Sequence, residues 1–173
     1  VHRHTPEMVQ NFTKLGAGMT AIASVSAESP AMLVAFNDRS RDSVDAFRLD
    51  TLSGKYDLLT RDSPGDVASW IADRAGVIRI AVSYPERKSK SENRRQVIWY
   101  RDGAESKWEK INEFEIVAGT PQTEYWEPVA FDFDNTTLYV TGRIGGRDRA
   151  AIYKYDTKAR KLGDLMFEDK LVD

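Results

Sequence analysis

The chain has 173 residues, 41% hydrophobic and 30% charged, with a formal net charge of −2: enough apolar content for one packed core, with no run of 18 apolar residues to span a bilayer. The near-neutral balance supplies no field to attract nucleic acid, and the absence of cysteine removes disulfides, thiol nucleophiles and thiolate metal sites together. Neither nucleic acid nor a membrane is expected as a partner, and the compartment stays open between cytoplasmic and periplasmic or secreted.

Val1 stands where a gene product would begin with methionine, so a piece of a longer protein is expected. His2 and His4 form a His-x-His pair with no acidic or third histidine partner, which reads as a frayed terminus and not as a metal centre. The stretch TPEMVQNFTKLG, residues 5 to 16, has the apolar spacing of a short turn or helix. Asn11 in NFT and Asn135 in NTT match the glycosylation sequon, as short motifs do by chance.

From residue 19 onward the sequence repeats. FRLDTLSGKYDLL, WYRDGAESKWEKI and YKYDTKARKLGDL share an aromatic (Phe47, Trp99, Tyr153) three residues before an aspartate (Asp50, Asp102, Asp156). A lysine (Lys55, Lys107, Lys161) follows five residues after each aspartate, and an aliphatic (Leu59, Ile111, Leu165) nine after; the aspartates are 52 and 54 residues apart. Strand, aspartate able to cap its own turn, polar loop and second strand make a β-hairpin. A second unit precedes each hairpin. VASWIADRAGVIRIAV aligns with PVAFDFDNTTLYVTG, setting Trp70 over Phe131, Asp73 over Asp134 and Val77 over Leu138, with SVSAESPAMLVAF and Glu28 as a weaker copy.

Each repeat therefore supplies four short strands in meander order, the size and strand count of a β-propeller blade. The fold class is all-β: an incomplete propeller of about three four-stranded antiparallel blades near 19–61, 66–114 and 126–166, in a single partial domain over 1–173. ERKSKSENRR, with five basic and two acidic residues and no aromatic to stack a base, is a solvated hairpin tip inside the second blade. Trp70, Trp99, Trp108 and Trp126 occupy or border strands and are expected to pack between blades.

VAFDFDNTTLYV, residues 129 to 140, imitates a different chemistry. An apolar strand delivering Asp-x-Asp-x-Thr is how one class of magnesium-dependent phosphatase presents its nucleophile and proton shuttle, which would be Asp132 and Asp134. That class needs a central parallel sheet wrapped by helices, and the residues after Thr136 read as strands, with GDLMFED only faintly like its acidic metal motif. An Asp-Asn turn between two strands of one blade is the better reading.

LVAFNDR, VDAFRLDTLSGKYDLL, WIADRAG and PVAFDFDNTTLYVTGR, continued by AAIYKYDTKARKL, resemble the propeller domain of prolyl-oligopeptidase-family serine peptidases, in the dipeptidyl and acylaminoacyl peptidase branch. The likeness covers residues 19 to 173. It implies a propeller segment that gates and positions peptide substrates for an α/β-hydrolase domain absent from this chain. No Gly-x-Ser-x-Gly elbow is present, so the resemblance carries over no catalytic residue; no cofactor or metal ligand is assigned, and the substrate-contacting residues stay unassigned. The alternatives are a propeller-type interaction scaffold unconnected to any peptidase and, remotely, the Asp-x-Asp-x-Thr phosphatase. The partners implied are the hydrolase domain, a peptide and a second copy of the chain. Self-association would run through open faces assigned to Leu33, Val34 and Phe36 on the first blade and Leu138, Tyr139 and Val140 on the third.

Overall fold

Alternating apolar and polar residues rich in valine, isoleucine and aromatics favour extended backbone, and the Asp, Gly and Asn clusters between them break it into short strands. The computed structural model describes residues 19–24, 29–40, 42–119 and 124–168. The 5–16 segment, His2, His4, Asn11 and Glu28 lie outside them.

Twelve strands follow in order: β1 (Thr20–Ser24), β2 (Ala31–Ser40), β3 (Ser43–Asp50), β4 (Tyr56–Leu58), β5 (Val67–Ala72), β6 (Ile78–Ser83), β7 (Arg94–Tyr100), β8 (Glu109–Ile116), β9 (Tyr125–Phe131), β10 (Thr137–Arg143), β11 (Ala151–Asp156) and β12 (Lys161–Glu168). They form three antiparallel four-stranded meanders, β1 to β4, β5 to β8 and β9 to β12, and no helix occurs among the described residues. These are propeller blades that do not close a ring.

The blades stack through their side faces. Between the first and second blades lie Leu33, Ala35, Ala46, Val67, Trp70, Ile78 and Ala81. Trp70 donates its indole N–H to the Val44 carbonyl at 2.9 Å and Val67 N–H donates to Ser43 Oγ at 3.0 Å. Between the second and third lie Ile80, Val82, Ile98, Tyr100, Phe131, Leu138, Val140 and Tyr153. Trp108 packs on Trp70 within the second blade and Trp126 on Tyr155 within the third, each partly buried against the neighbouring apolar cluster.

Two expectations need correction. The residues assigned to open faces are not exposed: Leu33 is 0% exposed, Phe36 1% and Val140 0%, with Val34 and Leu138 also buried. Neighbouring residues of a strand point to opposite faces, so Leu33 joins the seam with the second blade while Val34 and Phe36 form a separate apolar layer with Phe47 and Leu49. Leu138 and Val140 belong to the seam with the second blade, and Tyr139 alone of that trio turns away. NEFEIVAGTPQTEY, residues 112 to 125, which reads in the sequence as one long connection, is in part strand: β8 continues to Ile116 and β9 begins at Tyr125.

The loop from Tyr84 to Asn93 is the longest connection lying wholly within the described residues, and its Arg87, Lys88 and Lys90 are exposed. Limited trypsin digestion should nick the described part of the chain first at these three residues, as intact-mass analysis would read out. A first cut within 147–161 would contradict the hairpins of the third blade.

Candidate functional site

The first strands of the blades, β1, β5 and β9, lie in succession and line an open cavity of about 650 Å³. Its wall is made by Thr20 to Ala23, Ala68 to Ala72 and Val129 to Phe131, joined by Ala35 and Val44. Small and uncharged side chains dominate because the innermost strands of a propeller crowd its axis. Charge enters only at one end, at Asp73 and Arg74.

That end is built by two turns. Asp73 and Asp132 are each the first residue past an inner strand. Each accepts through its backbone carbonyl from the residue three later, Gly76 at 3.0 Å and Asn135 at 3.2 Å. Both later residues are left-handed, with φ of 78° and 55°, a conformation glycine and asparagine tolerate best. The backbone therefore sets Asp73 against Asp132, two residues from the match that placed it over Asp134. Asp73 caps its turn through Oδ1, accepting from Ala75 N and Val77 N. In the third blade Asp134 takes over that role, accepting from Thr136 N at 2.8 Å, Thr137 N at 2.7 Å and the Thr137 hydroxyl at 2.7 Å.

These bonds hold the Asp134 carboxyl far below the usual carboxylate range, with the Thr137 backbone N–H the largest cause. Asp132 accepts from Phe133 N and from the Tyr139 hydroxyl at 2.8 Å, and that bond raises the Tyr139 phenol. Both carboxylates that imitate a phosphatase pair are thus engaged by their own turn and its neighbouring strand. No group of three or more His, Asp or Glu side chains placed to hold a metal occurs among the described residues.

Across the seam the same turns lock together. Arg74 N donates to Asn135 Oδ1 at 2.8 Å, and its Nε to the Phe131 carbonyl at 3.0 Å. The Arg74 guanidinium lies 4.8 Å over the Phe133 ring, which is 83% exposed. Deeper in, Arg79 donates to the Asn135 carbonyl at 2.5 Å, to the Tyr100 hydroxyl and to the Arg101 carbonyl, and pairs with Asp73 at 3.4 Å. Asn135, met first as a sequon, is thus a seam residue, and neither arginine was singled out from sequence.

The repeated hairpin aspartates divide as well. Asp50 accepts from Leu52 N and Ser53 N, and Asp156 from Lys158 N and Ala159 N, each capping its own turn. Asp102 does not: its carboxylate accepts from the Tyr100 hydroxyl at 2.8 Å and pairs with Arg160 of the third blade at 3.3 Å, which lowers its pKa through the tyrosine bond first.

Compared with known proteins, the chain is 31% identical over 155 residues to dipeptidyl aminopeptidase BIII of Pseudoxanthomonas mexicana. The match covers 88% of this chain and 20% of that protein, so the chain spans about one fifth of the length of its relative. No protein-family model matches, and no solved structure matches. The chain is a peptidase-related β-sheet segment.

Asp134→Asn keeps an acceptor in the turn but loses the charge. It should lower stability at pH 7 by on the order of 1 kcal/mol, small because the turn is exposed. A carboxyl with a depressed folded pKa stabilises above its unfolded value and loses that contribution as pH falls toward the folded one. The difference in melting temperature between wild type and variant should therefore shrink as pH is lowered below about 4. A gap that widens on acidification would contradict the capping role.

Proposed function

We propose that this chain lines the channel by which peptides reach the serine-peptidase site of an α/β-hydrolase domain in the same polypeptide. The observation that carries the proposal is the convergence of β1, β5 and β9 on one uncharged wall, in a chain 31% identical to a dipeptidyl aminopeptidase. The chain's share of the work is exclusion and orientation, with the nucleophile on the other domain.

Topology gives the channel a direction. Four antiparallel strands are an even number, so the chain enters and leaves each blade at one rim, where the connection 59–66 runs, β8 ends and β9 begins. A further domain of the same chain is tethered at that rim. Asp73, Arg74 and Phe133 occupy the opposite rim. An aminopeptidase acts from the N-terminal end of its substrate, so the peptide lies with its N-terminus toward the tethering rim and its C-terminal part trailing toward Arg74.

Ala68 is exposed on this wall and begins the β5 segment that lines it. In the full-length parent, Ala68→Trp should reduce kcat/KM for peptides of about ten residues by roughly tenfold, and that for a dipeptidyl chromogenic amide by less than about twofold. Equal losses for both substrates would contradict the channel. A parent sequence without a Gly-x-Ser-x-Gly elbow would leave the interaction scaffold as the better reading.

The third blade's outer side also calls for a partner. Ile152 and Phe167 pair in register on the side turned from the second blade and are exposed. In a parent about five times as long, the next blade covers this surface; in the isolated chain, a second copy does. Sedimentation of the 173-residue chain at about 100 μM should therefore show dimer, shifted to monomer by Phe167→Glu. Wild type sedimenting as monomer would reject the pairing.

A further inference from the structure

We propose that Arg74 is the anchor for the free C-terminal carboxylate of a short peptide lying along the channel wall; this rests on the peptide-channel reading above. The wall offers few polar handles. Of the two charged side chains that line it, Asp73 is committed, its Oδ1 to two backbone N–H groups and its Oδ2 to Arg79. Arg74 is not. Its backbone N–H and its Nε are fixed across the seam, which orients the guanidinium, and its stacking on Phe133 leaves the donors on both Nη atoms for an outside acceptor.

No carboxylate of the described residues lies within ion-pair distance of Arg74, although Asp73, Asp132 and Asp134 are its neighbours in the two turns. Asp132 is bonded to Phe133 N and Tyr139, and Asp134 to Thr136 and Thr137. The rim thus holds one oriented cation among carboxylates already consumed. A guanidinium in a fixed plane suits a carboxylate, which it binds with two parallel N–H donors.

Position selects which carboxylate arrives. β5 runs six residues from the tethering rim to the turn that carries Arg74, about 20 Å of extended chain at roughly 3.3 Å per residue. A peptide whose N-terminal end has reached the tethering rim presents its own terminus to Arg74 when about six residues lie in the channel. Longer peptides pass the rim and present an amide there instead.

The test uses the 173-residue chain and a neutral, alanine-rich peptide of about seven residues, as free acid and as C-terminal amide, titrated by calorimetry. The free acid should bind about three- to tenfold more tightly than the amide. Arg74→Lys and Arg74→Gln both lose the Nε bond to Phe131 and differ in charge, so the acid preference should survive in the lysine variant and vanish in the glutamine variant. Thermal midpoints of the two variants should agree, separating the charge from any loosening of the seam. Equal binding of acid and amide by the wild type would overturn the anchor and leave the channel standing, as would an acid preference persisting in Arg74→Gln. Failure of both peptides to bind at millimolar concentration would overturn the channel reading and the anchor with it.

Discussion

The buried guanidinium of Arg79 holds the joint between the second and third blades. It is 7% exposed and sits on β6, yet its partners come from both sides of a seam: Asp73, Tyr100 and the Arg101 carbonyl in its own blade, the Asn135 carbonyl and the Phe131 ring in the next. Taking an arginine out of water costs several kcal/mol, and since it does not deprotonate in a protein the cost is met only by filling its donors. Four acceptors do so. Because two of its contacts lie on the third blade, the distance between β5 and β9 follows from satisfying that one cation.

The two seams are therefore unlike. Apolar side chains dominate the first, pinned by Trp70 to Val44 and Val67 to Ser43. The second adds a chain of charge to its apolar core: Arg79, Tyr100, Asp102, Arg160 and Glu109 in succession, with Arg160 also 4.2 Å over the Tyr100 ring. Hydrophobic contact is tolerant of small rotations, whereas directed hydrogen bonds are not. The second seam consequently fixes the angle between blades, and the first supplies cohesion.

Strand periodicity and aspartate turns made the blades legible in the sequence, because both act within a few residues of chain. Asp50 and Asp156 cap their hairpins as their spacing implied. Asp102 carries the same signature and is diverted, since Arg160, 58 residues away, competes for its carboxylate. Arg79 and Arg74 left no local signal at all. An arginine within VIRIAV reads as the solvent-facing partner in an alternation, and only acceptors delivered from 56 residues further on make it a core residue. Assigning consecutive residues such as Leu33 and Val34 to one open face failed for a simpler reason: the pleat sends them to opposite sides.

The same locality explains why the cavity wall was hard to see in advance. Inner strands of a propeller converge on its axis, so steric crowding selects small residues there whether or not anything passes through. Ala21, Ala68, Ala72 and Ala130 satisfy that demand. A passage for an extended peptide asks for the same residues, small enough to leave room and uncharged so as not to hold the chain midway. Composition of the wall therefore cannot separate packing from transport. The distribution of charge bears on it: the seam accounts for the backbone N–H, the Nε and the ring stacking of Arg74, but makes no use of its Nη donors at the end of a neutral wall. Arg74 is the residue at which the two explanations part.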